Sequence, residues 1–283
     1  MKKLLILFAI SLAATGCSSW NTRDKVIVSP EEVINAIEFD NTFLLNTFFA
    51  KGFPVVYEDN NGKSLLVKAL ESDSLEALDM ILNRGAYLEK TVENGQSSIF
   101  YVRSLEALKK IVTAGADINR KNSSGESVLT YFIKNKPLSY SRYLVENGAE
   151  LNQPEDGGWT PVFYAVVSND LELVNLMGAK GGDFTLTDEM GNPPLFYTSD
   201  ENMLLKLLSI TKYDLNSINK KGENILGEIY LKAVANGYTD VIEQLLHLGV
   251  NPYYMSYGDS AVSIAVDSRN KNMVEFLRKK GIY

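Results

Sequence analysis

The residue types that do most enzyme chemistry are scarce in this chain, which holds one histidine and one cysteine. His247 stands in EQLLHLGVN, at the end of an amphipathic stretch and just before a glycine. There an imidazole can bond the last carbonyls of a helix, a structural role. One histidine so placed gives no triad or dyad, and the count excludes a zinc site of the Cys/His kind. The segment YEDNNGKS, Tyr57 to Ser64, ends like a phosphate loop. Such a loop needs a glycine five positions before its Gly-Lys pair, and Tyr57 stands there. No Gly-x-Ser-x-Gly elbow occurs. The 35 acidic side chains are spread at regular spacing, as on solvated faces, and do not single out an acid/base pair. No catalytic residue, metal ligand or cofactor is therefore expected. What remains is recognition by carboxylates and large flat side chains.

The elements that must position those side chains follow from a repetition. SLEAL opens both SLEALDMILNRGAYLEK from Ser74 and SLEALKKIVTAGADINR from Ser104. Ser74 and Ser104 read as N-caps, with Glu76 and Glu106 in the favourable first turn. Leu75, Leu78, Ile81 and Leu82 share one helical face, as do Leu105, Leu108, Ile111 and Val112. Both helices stop at a glycine, Gly85 or Gly115. A second, turn-type glycine recurs at Gly62, Gly95, Gly125, Gly158, Gly191, Gly222 and Gly258, at intervals of 33, 30, 33, 33, 31 and 36 residues.

A period near 33 built of turn, helix, helix and loop resembles the ankyrin repeat. GWTPVFYAVVSNDLELVNL from Gly158 is similar to the G-x-T-P-L-H-x-A pattern, and ANGYTDVIEQLLHLGVNP from Ala235 to its second half. GADIN at Gly115 and GAELN at Gly148 are similar to its G-A-D-x-N stretch. The resemblance covers residues 29–283 and implies an all-α ankyrin-repeat solenoid: an N-terminal helical cap over 29–55, then about seven repeats, in one domain. The departures carry expectations too. The repeat after Gly95 is short, predicting a stubby inner helix, and so is the one after Gly191, which carries Pro193-Pro194. The one after Gly222 has room for about one added helical turn. Ser29-Pro30-Glu31-Glu32 reads as a helix start, and KNMVEFLRKKGIY closes the stack.

The N-terminus has a different character. MKKLLILFAISLAATGC has two lysines, an apolar run from Leu4 to Ala14, and small residues up to Cys17. The run is short for a membrane span and has secretory signal architecture. Ala-Thr-Gly-Cys resembles a bacterial lipobox, with Ala14 departing from the usual leucine. That resemblance implies a signal peptide over 1–16, lipidation of Cys17 and a tether over 17–28. Ser18 is similar to the default outer-membrane sorting signal of Gram-negative lipoproteins. The expected location is thus periplasmic, lipid-anchored, at the outer membrane. A lipidated Cys17 leaves no thiol for disulfides, so packing alone must hold the fold. Net charge is −7, and removing Lys2 and Lys3 takes the mature chain near −9. Such a surface repels nucleic acid and favours a basic protein.

In an ankyrin array, the resemblance implies, inner helices and hairpin tips form a concave binding strip. The residues expected there are Asn60, Glu93, Asn94, Glu126, Asp156, Trp159, Glu189, Met190, Glu223, Tyr257 and Asp259, with Asn61, Lys63, Gln96, Ser124, Asn192, Lys220 and Lys221 beside them. Carboxylates would steer a basic partner, and Trp159 or Tyr257 would anchor it. Lipid-anchored periplasmic ankyrin proteins resemble immunity proteins against type VI secreted lipase toxins. The expected function is such a toxin-binding module, monomeric when free. The alternative is an envelope scaffold supporting a periplasmic enzyme such as a peroxide-detoxifying system.

Overall fold

A computed structural model of the chain describes residues 28–88 and 96–283. The leader, Cys17, Glu93, Asn94 and Gly95 lie outside the described residues. In chain order the helices form pairs: α1 (Pro30–Glu38) with α2 (Thr42–Ala50), and α3 (Leu65–Ser72) with α4 (Leu75–Leu82). A 3₁₀ turn (Ser98–Tyr101) precedes α5 (Leu105–Thr113), and then come α6 (Val128–Asn135) with α7 (Leu138–Glu146) and α8 (Pro161–Val167) with α9 (Leu171–Ala179). Asp156–Gly158 forms a 3₁₀ turn before α8, and a third (Pro194–Tyr197) precedes α10 (Glu201–Ile210), followed by α11 (Ile225–Asn236) with α12 (Thr239–Leu248). The hairpin of β1 (Met255–Ser256) and β2 (Asp259–Ser260) leads into α13 (Ala261–Asp267) and α14 (Lys271–Lys279).

The first element of each pair packs on first elements and the second on second ones, giving an inner and an outer layer. Each helix is short, 7 to 12 residues. Isolated helices of that length are marginal in water, so they persist by burying one stripe against their neighbours. In α4 that stripe is Ala77, Leu78 and Ile81, and in α5 it is Ala107, Leu108 and Ile111, all fully buried. The core is one continuous cluster from Val33 to Ile282.

Local signals set the helix boundaries. Ser29 and Glu32 form a capping box with Pro30 at the first position of α1. Ser104 caps α5 by accepting from the Ala107 N–H at 3.1 Å. Ser74 does not cap α4. Asp40 of the preceding pair takes that place, accepting from the Ala77 N–H at 2.7 Å and the Glu76 N–H at 3.3 Å. The G-A-D-x-N stretches also stitch one repeat to the next: Asn119 accepts from the Glu150 N–H, and Asn152 from the Asp183 N–H.

The two inner elements expected to be short are single 3₁₀ turns, and α11 is the longest helix among the described residues. Truncation strips carbonyls of their helical partners, and buried carbonyls need donors. The following repeat supplies them in the same way twice. Lys136 Nζ donates to the Val102 carbonyl at 2.8 Å and the Tyr140 hydroxyl to Arg103 at 2.6 Å. Lys232 Nζ donates to Phe196 at 3.3 Å and Thr198 at 2.7 Å, and the Tyr238 hydroxyl to Ser199 at 2.9 Å. Burial holds both ammonium groups below the ordinary lysine range.

Replacing Lys232 by Met should therefore lower unfolding stability by about 1–3 kcal/mol, because the two carbonyls lose a charged donor. Replacing the exposed Lys271 should leave stability within about 0.5 kcal/mol. Urea denaturation of both variants measures the difference. Alkali tests the core separately. Burial pushes the Tyr230 phenol up to about 12, whereas an unfolded tyrosine ionises near about 10. The raised group leaves stability intact below pH ~10, and stability falls as pH rises from there through the folded value. Phenolate absorbance should show Tyr230→Phe removing a late-titrating group.

Candidate protein-binding surface

The hairpin turns between pairs share one construction. An Asp or Asn at the first position accepts from two backbone N–H groups ahead of it. Asp59 takes those of Asn61 and Lys63, Asn122 those of Ser124 and Glu126, Asp188 those of Met190 and Asn192, and Asn219 those of Lys221 and Glu223. These Asx turns make each tip rigid without a long strand. Two tips differ. The Glu155–Trp159 tip uses Gly157 and Gly158, both left-handed at φ +77° and +80°. A Cβ on Gly158 would stand 2.9 Å from the Glu189 nitrogen, so only glycine lets the next tip approach. The last hairpin turns at Tyr257 and Gly258, φ 52° and 93°.

Neighbouring tips are joined as rungs. The Glu189 N–H donates to the Gly157 carbonyl at 3.0 Å, and the Lys220 N–H to Met190 at 2.8 Å. Glu155 accepts from the Ser127 N–H at 2.9 Å, and Asn219 donates to Asn192 at 3.0 Å. The Tyr257 hydroxyl donates to Glu223 at 2.7 Å.

On this ledge Asn60, Asp156, Glu189, Met190, Tyr257 and Asp259 are exposed, Tyr257 at 85%. Glu126, Trp159 and Glu223 are half-buried. Asn192, which the spacing placed among the tip side chains, is buried and accepts from Asn219. Glu126 is engaged by Lys134 and Asn122. The Asn219 amide and the Tyr257 hydroxyl hold the Glu223 carboxyl below the usual range. Trp159 is tied into an aromatic cluster, stacked on Phe163 at 5.3 Å and within 5.2 Å of Tyr164 and 5.0 Å of Tyr197. Tyr257 stands where asparagine or glycine is cheap and a bulky side chain is strained. An exposed aromatic kept in such a position is the tip residue with most claim to a contact role.

The period hid a second set of residues. Tyr101, Tyr131, Tyr164 and Tyr197 each lie six residues after a turn glycine, in consecutive repeats, and all are half-buried on the inner layer. Comparing repeats position by position would have found them. Beside Tyr164 lies a hollow of about 310 Å³, lined by Ser124, Glu126, Lys134, Glu155, Asp156 and Tyr164. Burial, then Glu155, pushes the Tyr164 phenol above its ordinary range. Lys134 is the only cation in this lining against three carboxylates. No group of three or more His, Cys, Asp or Glu among the described residues could hold a metal ion. His247 ends α12 with Nδ1 2.9 Å from the Glu243 carbonyl. No described helix is long and apolar enough to cross a membrane.

The family model for ankyrin repeats in three copies matches residues 98–188. None of the curated proteins matches the chain in sequence. Among solved structures, the human ASB11 ankyrin repeat domain is similar, at 16% identity over 89% of this chain and 98% of that one, with a TM-score of 0.49. The fold is an ankyrin-repeat fold, and ankyrin repeats indicate a protein-interaction module.

Because three rings pack on it, Trp159→Ala should lower stability by about 2 kcal/mol, a half-buried share of a full aromatic truncation. Tyr257→Asn should leave the urea midpoint unchanged or raise it, since it relieves left-handed strain and the bond to Glu223 that it removes is exposed and worth little.

Proposed function

We propose that this chain is a lipid-anchored periplasmic module that binds and neutralises a secreted antibacterial toxin, as an immunity protein does. The observation that carries the reading is the ledge itself. The tips at Gly157, Glu189 and Lys220 are locked together by backbone hydrogen bonds, and the exposed carboxylates of Asp156 and Glu189 there, with Asp259 beyond the exposed Lys220 and Lys221, make no ion pair among the described residues. A pre-ordered acidic surface loses little entropy on binding and speeds encounter with a basic partner. Neutralisation needs only that a toxin's active-site mouth be covered, and no reactive constellation is required for that. The lipobox-like Ala-Thr-Gly-Cys supports anchoring through Cys17, which would concentrate the binder where a membrane-acting lipase works.

The test uses cells lacking this gene and attacked by delivery-competent siblings. The full chain should restore survival. Cys17→Ala should bind the toxin in solution yet protect less. If the anchored full chain gives no rescue, the immunity reading fails. Asp156→Asn together with Glu189→Gln should slow toxin association and flatten its salt dependence, measured by stopped flow.

A further inference from the structure

We infer that the tyrosine row Tyr101, Tyr131, Tyr164 and Tyr197 is the track on which the partner docks, and that it takes an extended basic segment in polyproline II conformation with an arginine or lysine at every third residue. The inference rests on the protein-binding reading above and gives the partner a chemistry.

Packing does not demand tyrosine at this register. The equivalent positions outside the run are Lys68, Glu228 and Ile264. The Tyr197 hydroxyl also donates to the Asp188 carboxylate of the turn, so what the four successive tyrosines add to the fold is their rings. Three of the rings have aromatic support behind them: Tyr131 lies 5.3 Å from Phe100 and 5.8 Å from Phe132, and Tyr164 and Tyr197 lean on Trp159. Half-burial leaves part of each ring to solvent.

Two of the four rings accept cations already. Lys63 Nζ lies 5.7 Å from the centre of Tyr101, and Lys134 Nζ 5.4 Å from that of Tyr164. Such contacts are favourable and more so when desolvated. Charge agrees with this. Lys134 is paired with Glu126 at 2.8 Å, while Glu155 and Asp156 in the same hollow form no ion pair among the described residues. A visiting guanidinium would find two carboxylates beside a ring.

Spacing selects the conformation. Packed helices stand ~8–10 Å apart, so successive tyrosines step by about that distance. A polyproline II chain has three residues per turn and rises ~3.1 Å per residue, returning to the same face every ~9 Å. A β-strand alternates faces, so its third residue points away. An α-helix repeats every ~5.4 Å and falls out of step.

The experiment measures binding of the full chain to peptides by fluorescence anisotropy. The probes are a peptide of repeating Arg-Pro-Pro triplets, a peptide of equal composition with its arginines clustered, and a Glu-Pro-Pro control. The triplet peptide should bind about tenfold more tightly than the clustered one, the worth of two well-placed rings. Tyr131→Leu with Tyr164→Leu should lose that preference. Glu228→Tyr, which adds a ring next to Tyr197, should tighten a longer triplet peptide, and it guards against a folding defect in the double variant. Equal binding of triplet and clustered peptides would overturn the inference, as would tight binding of the acidic control or absence of binding by any cationic peptide. The double variant then enters the sibling-attack assay. Full protection without peptide binding removes the track from the interface and leaves the immunity reading intact, whereas failure of the unmodified chain removes that reading itself.

Discussion

A helix of 7 to 12 residues buries too little surface to stand alone in water, so every element here depends on the apolar stripe of its neighbours. Fully burying a single leucine or isoleucine is worth about 1.5–3 kcal/mol, and each pair contributes several. That sum is available only when the adjacent pair is in place. Stability is therefore shared along the array. The positions at which α1 packs on α3, or α11 on α13, bear on the whole chain.

The same dependence governs the polar groups. Where an inner helix shrinks to one 3₁₀ turn, its carbonyls are closed by Lys136 and Tyr140 or by Lys232 and Tyr238 of the next repeat. Where Ser74 leaves the start of α4 uncapped, Asp40 of the previous pair reaches over. Surface ion pairs such as Lys110 with Asp79 and Lys280 with Glu243 also run between pairs, but exposed contacts of this kind add little. The clamps on the buried Val102 and Thr198 carbonyls matter more because an unmet buried acceptor has no water to turn to.

A stack closed in this way gives a stiff edge. Four hairpin tips are fixed internally by Asx turns and some are joined by backbone rungs, so the backbone that carries their side chains is held before any partner arrives. Under the function proposed above, rigidity and negative charge together serve recognition by steering and pre-organisation. The inner-layer tyrosines add flat rings at one register of four successive repeats. The hollow by Tyr164 gathers three carboxylates, a lysine, a serine and a phenol.

The amino-acid sequence by itself determined what is local. Glycines requiring positive φ, apolar residues at helical spacing and caps such as Ser29 with Glu32 are decided within a few residues, so the period and the two layers could be read from it. The stubby elements after Gly95 and Gly191 were legible for the same reason, since a missing turn is a matter of length. Tertiary structure decided which side chains face across a repeat. Asp40 capping α4, Lys232 closing a carbonyl, Asn192 sinking out of reach and Trp159 joining an aromatic cluster all involve partners that another repeat supplies. Tyrosines in one register were written in the sequence, but which part of each ring meets water is fixed only when neighbouring pairs pack, because exposure belongs to the stack and to no single repeat.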